Sequence, residues 1–250
     1  VRGLAALVLL LPLSACGGDD ETLTVLAAAS LTETFTELAA TFEDEHPGVE
    51  VELVFGSSTT LAGQAVDGAP GDVLATADET SMALAEDGNA LAGSADAFAS
   101  NQITLVTPPE NPAGLESWAD LDDPEVDYVV CASSAPCGAV AAAVLAEEGV
   151  TATPASEEVD VKAVLARVVQ GEADAGLVYR TDAVAAGDTV EQIPLAEEDA
   201  SAYATTYYVA RLAGDDPERA DLAAEFVTLV RSNQAFEVLT EAGFGGIVRE

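Results

Sequence analysis

The chain has 250 residues, 49 % of them apolar, which is enough to build one large or two modest cores and excludes global disorder. Asp and Glu number 45 against 8 Lys and Arg, a formal net charge of −37, so a basic face for nucleic acid or anionic membrane is excluded. The acidity is spread along the chain rather than gathered in a tail, and reads as a solvated surface suited to a salt-rich medium.

Residues 1–15 read as an export signal. Arg2 is the short positive region, and the run LAALVLLLPL from Leu4 to Leu13 is too short to span a bilayer. Leu13-Ser14-Ala15-Cys16 then resembles the lipobox of bacterial lipoproteins, in which the signal is cut before the cysteine and the thiol is lipidated. An ordinary signal peptide cut nearby is the alternative; the cysteine and the polar linker GGDDE behind it favour lipidation. Two or more acyl chains on Cys16 suffice for stable anchoring. The expectation is an extracytoplasmic protein tethered to the cell membrane, with residues 16–22 as lipidated cysteine and linker.

Strand and helix patterns then alternate. Leu23 to Ala28 is expected as a buried strand, and Ser30-Leu31-Thr32-Glu33 as a capping box opening a helix to about Glu45. His46-Pro47-Gly48 ends it, and Val49 to Phe55 alternates as a second strand. A helix from Thr60 to about Val66, a strand at Val73 to Ala75 and a helix from Glu79 to Asp87 follow, the order of a parallel α/β sheet. Gly56-Ser57-Ser58 lies where a helix N-terminus would attract an anion, although serines there serve equally as plain caps. Asn101 to Thr107 reads as one strand crossing into a second lobe, marked by Pro108, Pro109 and Pro112. That lobe is expected to hold strands at Tyr128 to Cys131 and Ala175 to Tyr179. Its helices are expected near Gly138 to Glu148, Asp160 to Val169 and Thr181 to Ala185. Ala202 to Arg211 returns the chain, and helices from Asp216 and from Asn233 close it. Two α/β lobes (residues 23–100 with 206–250, and residues 101–205) joined by two crossing strands make a hinged clamshell with its ligand in the cleft.

Four segments carry a family likeness in register: TVLAAASLTETFTELAATFEDEHPGV, GSSTTLAGQAVDGAPGDVLATADE with its GAP-x-DV core, AVLARVVQGEADAGLVYRTDAV, and QAFEVLTEAGFG. On them the chain, from Leu23 onward, resembles the molybdate-binding proteins of bacterial ABC importers. The resemblance implies a type II periplasmic-binding-protein clamshell with a mostly parallel sheet in each lobe. It implies a tetrahedral molybdate or tungstate dianion held by hydrogen bonds alone, with no cofactor and no direct cation site. The implied donors are Ser30 in AAASL, Ser58 (or its neighbour Ser57), the backbone N–H groups of Cys137 and Val161, and the phenol of Tyr179 in GLVY. Cys137 stands in a Pro-Cys-Gly turn where the family has Pro-Ala-Gly, a change that a backbone donor tolerates. The implied partner is the importer's permease, and the chain is expected to be a monomer.

Other constellations point elsewhere. Once Cys16 is lipidated, Cys131 and Cys137 are an even pair outside the cytoplasm, expected as a disulfide closing a short loop and worth about 2 kcal/mol. With the lone His46 they make no zinc set, and His46 in its turn is expected on the surface. Lys162, Arg167 and Arg180 read as partners of local carboxylates. Tyr207-Tyr208 raises iron(III) as an alternative ligand, though neighbours on a strand face opposite ways. Sulfate or phosphate is another alternative, because the same donors serve any tetrahedral oxyanion. An enzyme is disfavoured: no G-x-S-x-G elbow occurs, and the only histidine sits in a turn after a helix, away from any serine nucleophile.

Overall fold

The computed structural model describes residues 21–196 and 202–247; the expected export signal, Cys16 and the start of the expected linker lie outside them. The first sheet has the order β2-β1-β3-β10-β4, formed by β1 (Glu21–Ala28), β2 (Val49–Gly56), β3 (Val73–Thr76), β4 (Asp96–Asn101) and β10 (Thr205–Arg211). The second has the order β7-β6-β8-β5-β9, formed by β5 (Ile103–Thr107), β6 (Tyr128–Cys131), β7 (Ser156–Glu158), β8 (Ala175–Tyr179) and β9 (Glu191–Ile193). Pairing is parallel along β2-β1-β3 and β7-β6-β8. The antiparallel members are β10 in the first sheet and β5 in the second, the strands on either side of the crossings. This is the two-lobed periplasmic-binding-protein architecture.

Central strands are apolar on both faces because helices cover both. The helices are α1 (Thr32–Glu45), α2 (Ser58–Val66), α3 (Glu79–Asp87), α4 (Pro136–Glu147), α5 (Val161–Val169), α6 (Arg180–Ala186), α7 (Pro217–Val230) and α8 (Asn233–Glu241). On one face of the first sheet Phe35 and Phe42 of α1 meet Phe226 of α7, with Phe98 of β4 beside Phe35, at ring separations of 5.4–6.0 Å. On the other face Leu26, Leu61, Leu74 and Met82 pack beneath α2 and α3. Under the second sheet Trp118, Leu121, Tyr128 and Leu177 form a separate core.

Several expectations change. The single strand from Asn101 to Thr107 is two strands, because the chain leaves one sheet and enters the other at Gln102. That residue is pinned on both sides: its N–H donates to Asn101 Oδ1 (2.9 Å) and its carbonyl accepts from Arg180 N–H (2.8 Å). Helix α4 starts at Pro136, a proline at its first position. The three-residue strands β7 and β9 (SEE and EQI) have no apolar alternation to announce them. The capping box at Ser30 does not form. Residues Ala29–Leu31 make a 3-10 turn ahead of α1, and the Ser30 hydroxyl is used elsewhere. His46 is at the surface as expected, partly exposed, and is tied down there: its ring stacks on Phe42 at 3.9 Å and its Nε2 lies 2.7 Å from Glu225, joining α1 to α7.

Candidate functional site

A single small cavity collects the segments that end the parallel strands. Its lining comprises Ala28-Ala29-Ser30 after β1, Gly56-Ser57-Ser58 after β2, Ala77 after β3, Pro136-Cys137 after β6, Asp160-Val161 after β7, and Tyr179 at the end of β8. All five residues expected to hold the ligand, Ser30, Ser58, Cys137, Val161 and Tyr179, are therefore in the lining, and so is Ser57. The cavity volume is about 20 Å³, far below a drug-sized pocket. No lysine or arginine is in the lining.

The local structure turns this lining into a set of donors. Ser58, Cys137 and Val161 lie in the first turns of α2, α4 and α5, where backbone N–H groups have no acceptor within the helix. The dipoles of these helices point their positive ends at the same space. Asp160 is the one acidic residue of the lining, and its carboxylate is turned onto its own helix, accepting Ala163 N–H at 2.9 Å. Ser58 Oγ accepts Ala77 N–H at 2.9 Å, which leaves the Ser58 hydrogen to be donated. Ser57, at the N-cap of α2, makes no cap bond with its side chain. Tyr179 is 1 % exposed, and its phenolic oxygen is buried with no hydrogen-bond partner among the described residues. Burial pushes this phenol well above its usual range, with the neighbouring Tyr207, Asp78 and Asp182 adding to the effect, so it stays protonated and able to donate.

The turn before α4 is locked. Cys131 and Cys137 form the expected disulfide, with Cα atoms 5.8 Å apart. Inside its loop Ala135 N–H donates to Ala132 O at 2.9 Å, and Ala132 N–H reaches Glu158 O at 2.8 Å. Across the cavity, Thr59 of α2 donates to Ser134 O at 2.8 Å, joining the first sheet's helices to this loop.

A charged cluster lies behind Val161 and Tyr179. Lys162 Nζ is 2.8 Å from both carboxylate oxygens of Glu33 on α1 and 3.0 Å from Asp182 Oδ1 on α6. Asp182 is buried, and its other oxygen accepts Tyr179 N–H at 3.3 Å. Burial lifts the Asp182 carboxyl to about 6, against the downward pull of Lys162. Burial works against the Lys162 ammonium too, yet two carboxylates hold it above its usual value. The signs agree once Lys162, a quarter exposed, is seen to serve two acids while Asp182 has one cation. Arg167 pairs with Glu158 and Glu172 as expected, whereas Arg180 meets no carboxylate among the described residues.

Tyr207 and Tyr208 do not converge. Tyr207 is fully buried, edge-on to Phe98, Phe244 and Tyr179, whereas Tyr208 packs on the opposite face near Leu74 and Met82. They cannot ligate one metal ion together. Instead Tyr207 Oη lies 2.7 Å from Ser30 Oγ. This contact escapes sequence reading because the pair is 177 positions apart. The same holds for the Lys162 cluster, which bridges segments 129 positions apart.

Residues 23–245 match the model of the bacterial extracellular solute-binding protein family. The molybdate-binding protein ModA of Mycobacterium tuberculosis is 34 % identical over 254 residues, covering 97 % of this chain and 96 % of its own. Among solved structures, the periplasmic molybdate-binding protein of Azotobacter vinelandii superposes with a TM-score of 0.76 at 21 % identity, over 91 % of this chain and 100 % of that one. The sulfate-binding protein SubI of Mycobacterium tuberculosis gives 0.74 at 17 % identity, over 91 % and 87 %. At these identities the two structures speak for the fold.

Proposed function

The chain belongs to the bacterial extracellular solute-binding protein family, and we propose that its solute is molybdate, captured as the dianion and delivered to the permease of an ABC importer. The observation that carries this reading is the Tyr179 hydroxyl, buried and without a partner among the described residues, on a residue that shares its cavity with three serines and three helix N-termini. A buried polar atom without a partner is costly, and a ligand acceptor would relieve it. Each charge-assisted hydrogen bond to the dianion contributes about 1.5–3 kcal/mol, so several donors neutralise it with no counter-ion. The small cavity supports an inorganic oxyanion over a sugar or an amino acid. Tungstate, of nearly the same size and charge, is proposed as a second ligand. Sulfate is the reading to be set against it, because SubI shares the fold.

Calorimetric titration with molybdate, tungstate, sulfate and phosphate in one buffer tests this. Molybdate and tungstate should bind, and sulfate and phosphate should bind far more weakly. Ser58→Ala and Tyr179→Phe each remove one donor from opposite sides of the cavity. Each should weaken molybdate by about 10- to 150-fold. Molybdate binding that survives both changes, or a preference for sulfate, would sink the proposal.

Lipidation of Cys16 is part of the same reading, in which the protein works outside the cytoplasm while tethered to the membrane. Cys16→Ser should move the protein from the membrane fraction to the soluble one with molybdate affinity unchanged. Retention in the membrane fraction would refute the anchor.

A further inference from the structure

Lys162 has one ammonium and two carboxylates to serve, and they belong to different lobes. Glu33 sits on α1, which packs on the first sheet, whereas Lys162 on α5 and Asp182 on α6 pack with the second. Of the ion pairs among the described residues, Glu33–Lys162 alone joins the two lobes. The ammonium directs hydrogen bonds to both Glu33 oxygens at 2.8 Å. Asp182 Oδ1 lies 3.0 Å from the same nitrogen, yet it is buried and receives no directed hydrogen bond among the described residues. A buried oxygen in that state is costly, and it stands ready as a second acceptor. When the lobes part, Glu33 leaves with α1. Lys162, only a quarter exposed, would then be stranded as a charge short of partners were Asp182 not beside it. A small rotation of the ammonium gives Asp182 the hydrogen bond that it lacks. The triad also adjoins the cavity from both lobes: Lys162 follows Val161, Asp182 accepts Tyr179 N–H at 3.3 Å, and Glu33 lies in the turn after Ser30.

We propose that Lys162 is a positioning residue for solute release: it bonds Glu33 across the cavity while the lobes are closed and passes to Asp182 when they part, so that the contest between the two carboxylates sets how fast solute leaves. This role rests on the proposed oxyanion site, which it controls without touching the solute. A charge at the rim of a binding site ordinarily acts on the association rate. Here the two carboxylates act on dissociation, and in opposite senses. Glu33 holds the closed state together, and Asp182 draws the lysine out of it.

The test is rapid-mixing measurement of molybdate association and dissociation at pH 7.5, where Asp182 is ionised. Glu33 is half exposed, and Glu33→Gln keeps its size while removing the charge. This variant should speed dissociation about fivefold, with the association rate held within about twofold. Asp182→Asn keeps an acceptor for Tyr179 N–H but no longer competes for the lysine, and it should slow dissociation about threefold. Mere damage to the site would speed dissociation in both variants. Raising NaCl from about 0.05 to about 0.5 M should speed dissociation from the wild type and leave Glu33→Gln unmoved. The proposal is overturned if Glu33→Gln releases molybdate at the wild-type rate, if only its association changes, or if Asp182→Asn moves in the same direction as Glu33→Gln. Melting of the ligand-free proteins shows whether each fold is intact. Should Asp182→Asn have unfolded, the salt series decides: equal salt dependence with and without the Glu33 charge would overturn the role of the pair. Wild-type protein that fails to bind molybdate at all would instead refute the oxyanion site, and this role with it.

Discussion

Replacing Gly138 with alanine should abolish molybdate binding and destabilise the protein. A Cβ at this position would lie 2.0 Å from Ala132 O, 2.6 Å from Ala132 C and 2.7 Å from Cys131 O. All three are backbone atoms, so no side chain can swing aside. The loop cannot yield either, since the Cys131–Cys137 bridge and the Ala135-to-Ala132 hydrogen bond hold it on both sides. Overpacking of this kind costs about 1–3 kcal/mol where neighbours can shift, and a backbone clash lies at or beyond the upper end. Relief requires the first turn of α4 to move away from β6, taking the Cys137 amide out of the cavity. Affinity should fall by more than 100-fold, and the melting temperature by several degrees. Gly63, in the interior of α2, is the control, because an added methyl group there would meet nothing within 4 Å. Gly63→Ala should stabilise by about 1 kcal/mol at most. Wild-type affinity in Gly138→Ala would show that the α4 turn contributes nothing to the site.

Lys162→Met should be the most destabilising of the charge changes, and its cost should grow with pH. It strips a buried aspartate of its cation while keeping most of the length of the side chain. Breaking a buried pair costs about 3–5 kcal/mol; the lower end applies because Lys162 is a quarter exposed. Asp182 already titrates at about 6 in the folded protein, above its unfolded value. Its stabilising contribution is therefore complete below the usual carboxylate range and lost as pH rises through about 6. Without Lys162 the folded value rises further, and the loss at high pH becomes larger. Thermal melts should show a gap between wild type and variant that is small at pH 5 and widest at pH 8. A gap independent of pH would mean that Asp182 does not depend on Lys162. The same variant also releases Glu33 on α1.

The sequence made the central strands and most helices readable because their signals are local. LTVLAA can only be buried, Asp216-Pro217 can only begin a helix, and each glycine-rich break follows a periodic run. The family likeness then placed Ser30, Ser58, Cys137, Val161 and Tyr179 at the ends of parallel strands, and those ends meet at one cavity. Contacts between distant segments were out of reach. The alternation of a strand says that Tyr207 and Tyr208 face opposite ways, but nothing local says that one ring reaches Ser30. Edge strands such as β7 are charged, as exposed edges commonly are, and lack the alternation that betrays a strand. Gln102 looks like an ordinary strand residue until the sheets on either side of it are seen to differ.

The placement of β10 between β3 and β4 sets an order of assembly. Among the described residues β4 pairs with no strand but β10, and its one further backbone bridge is from Ser100 to Gly245. The second sheet, by contrast, is built wholly from residues between Ile103 and Ile193, a continuous stretch that can pair as soon as it emerges. During export β4 must wait, unpaired, for the whole of that stretch to pass before its neighbour arrives. Such long-range closure is slow compared with local pairing. Tyr207, the partner of Ser30, arrives on the same late strand. A half-translocated chain thus has one nearly finished lobe while the other still lacks its last strand, and with it the Tyr207 hydroxyl that meets Ser30.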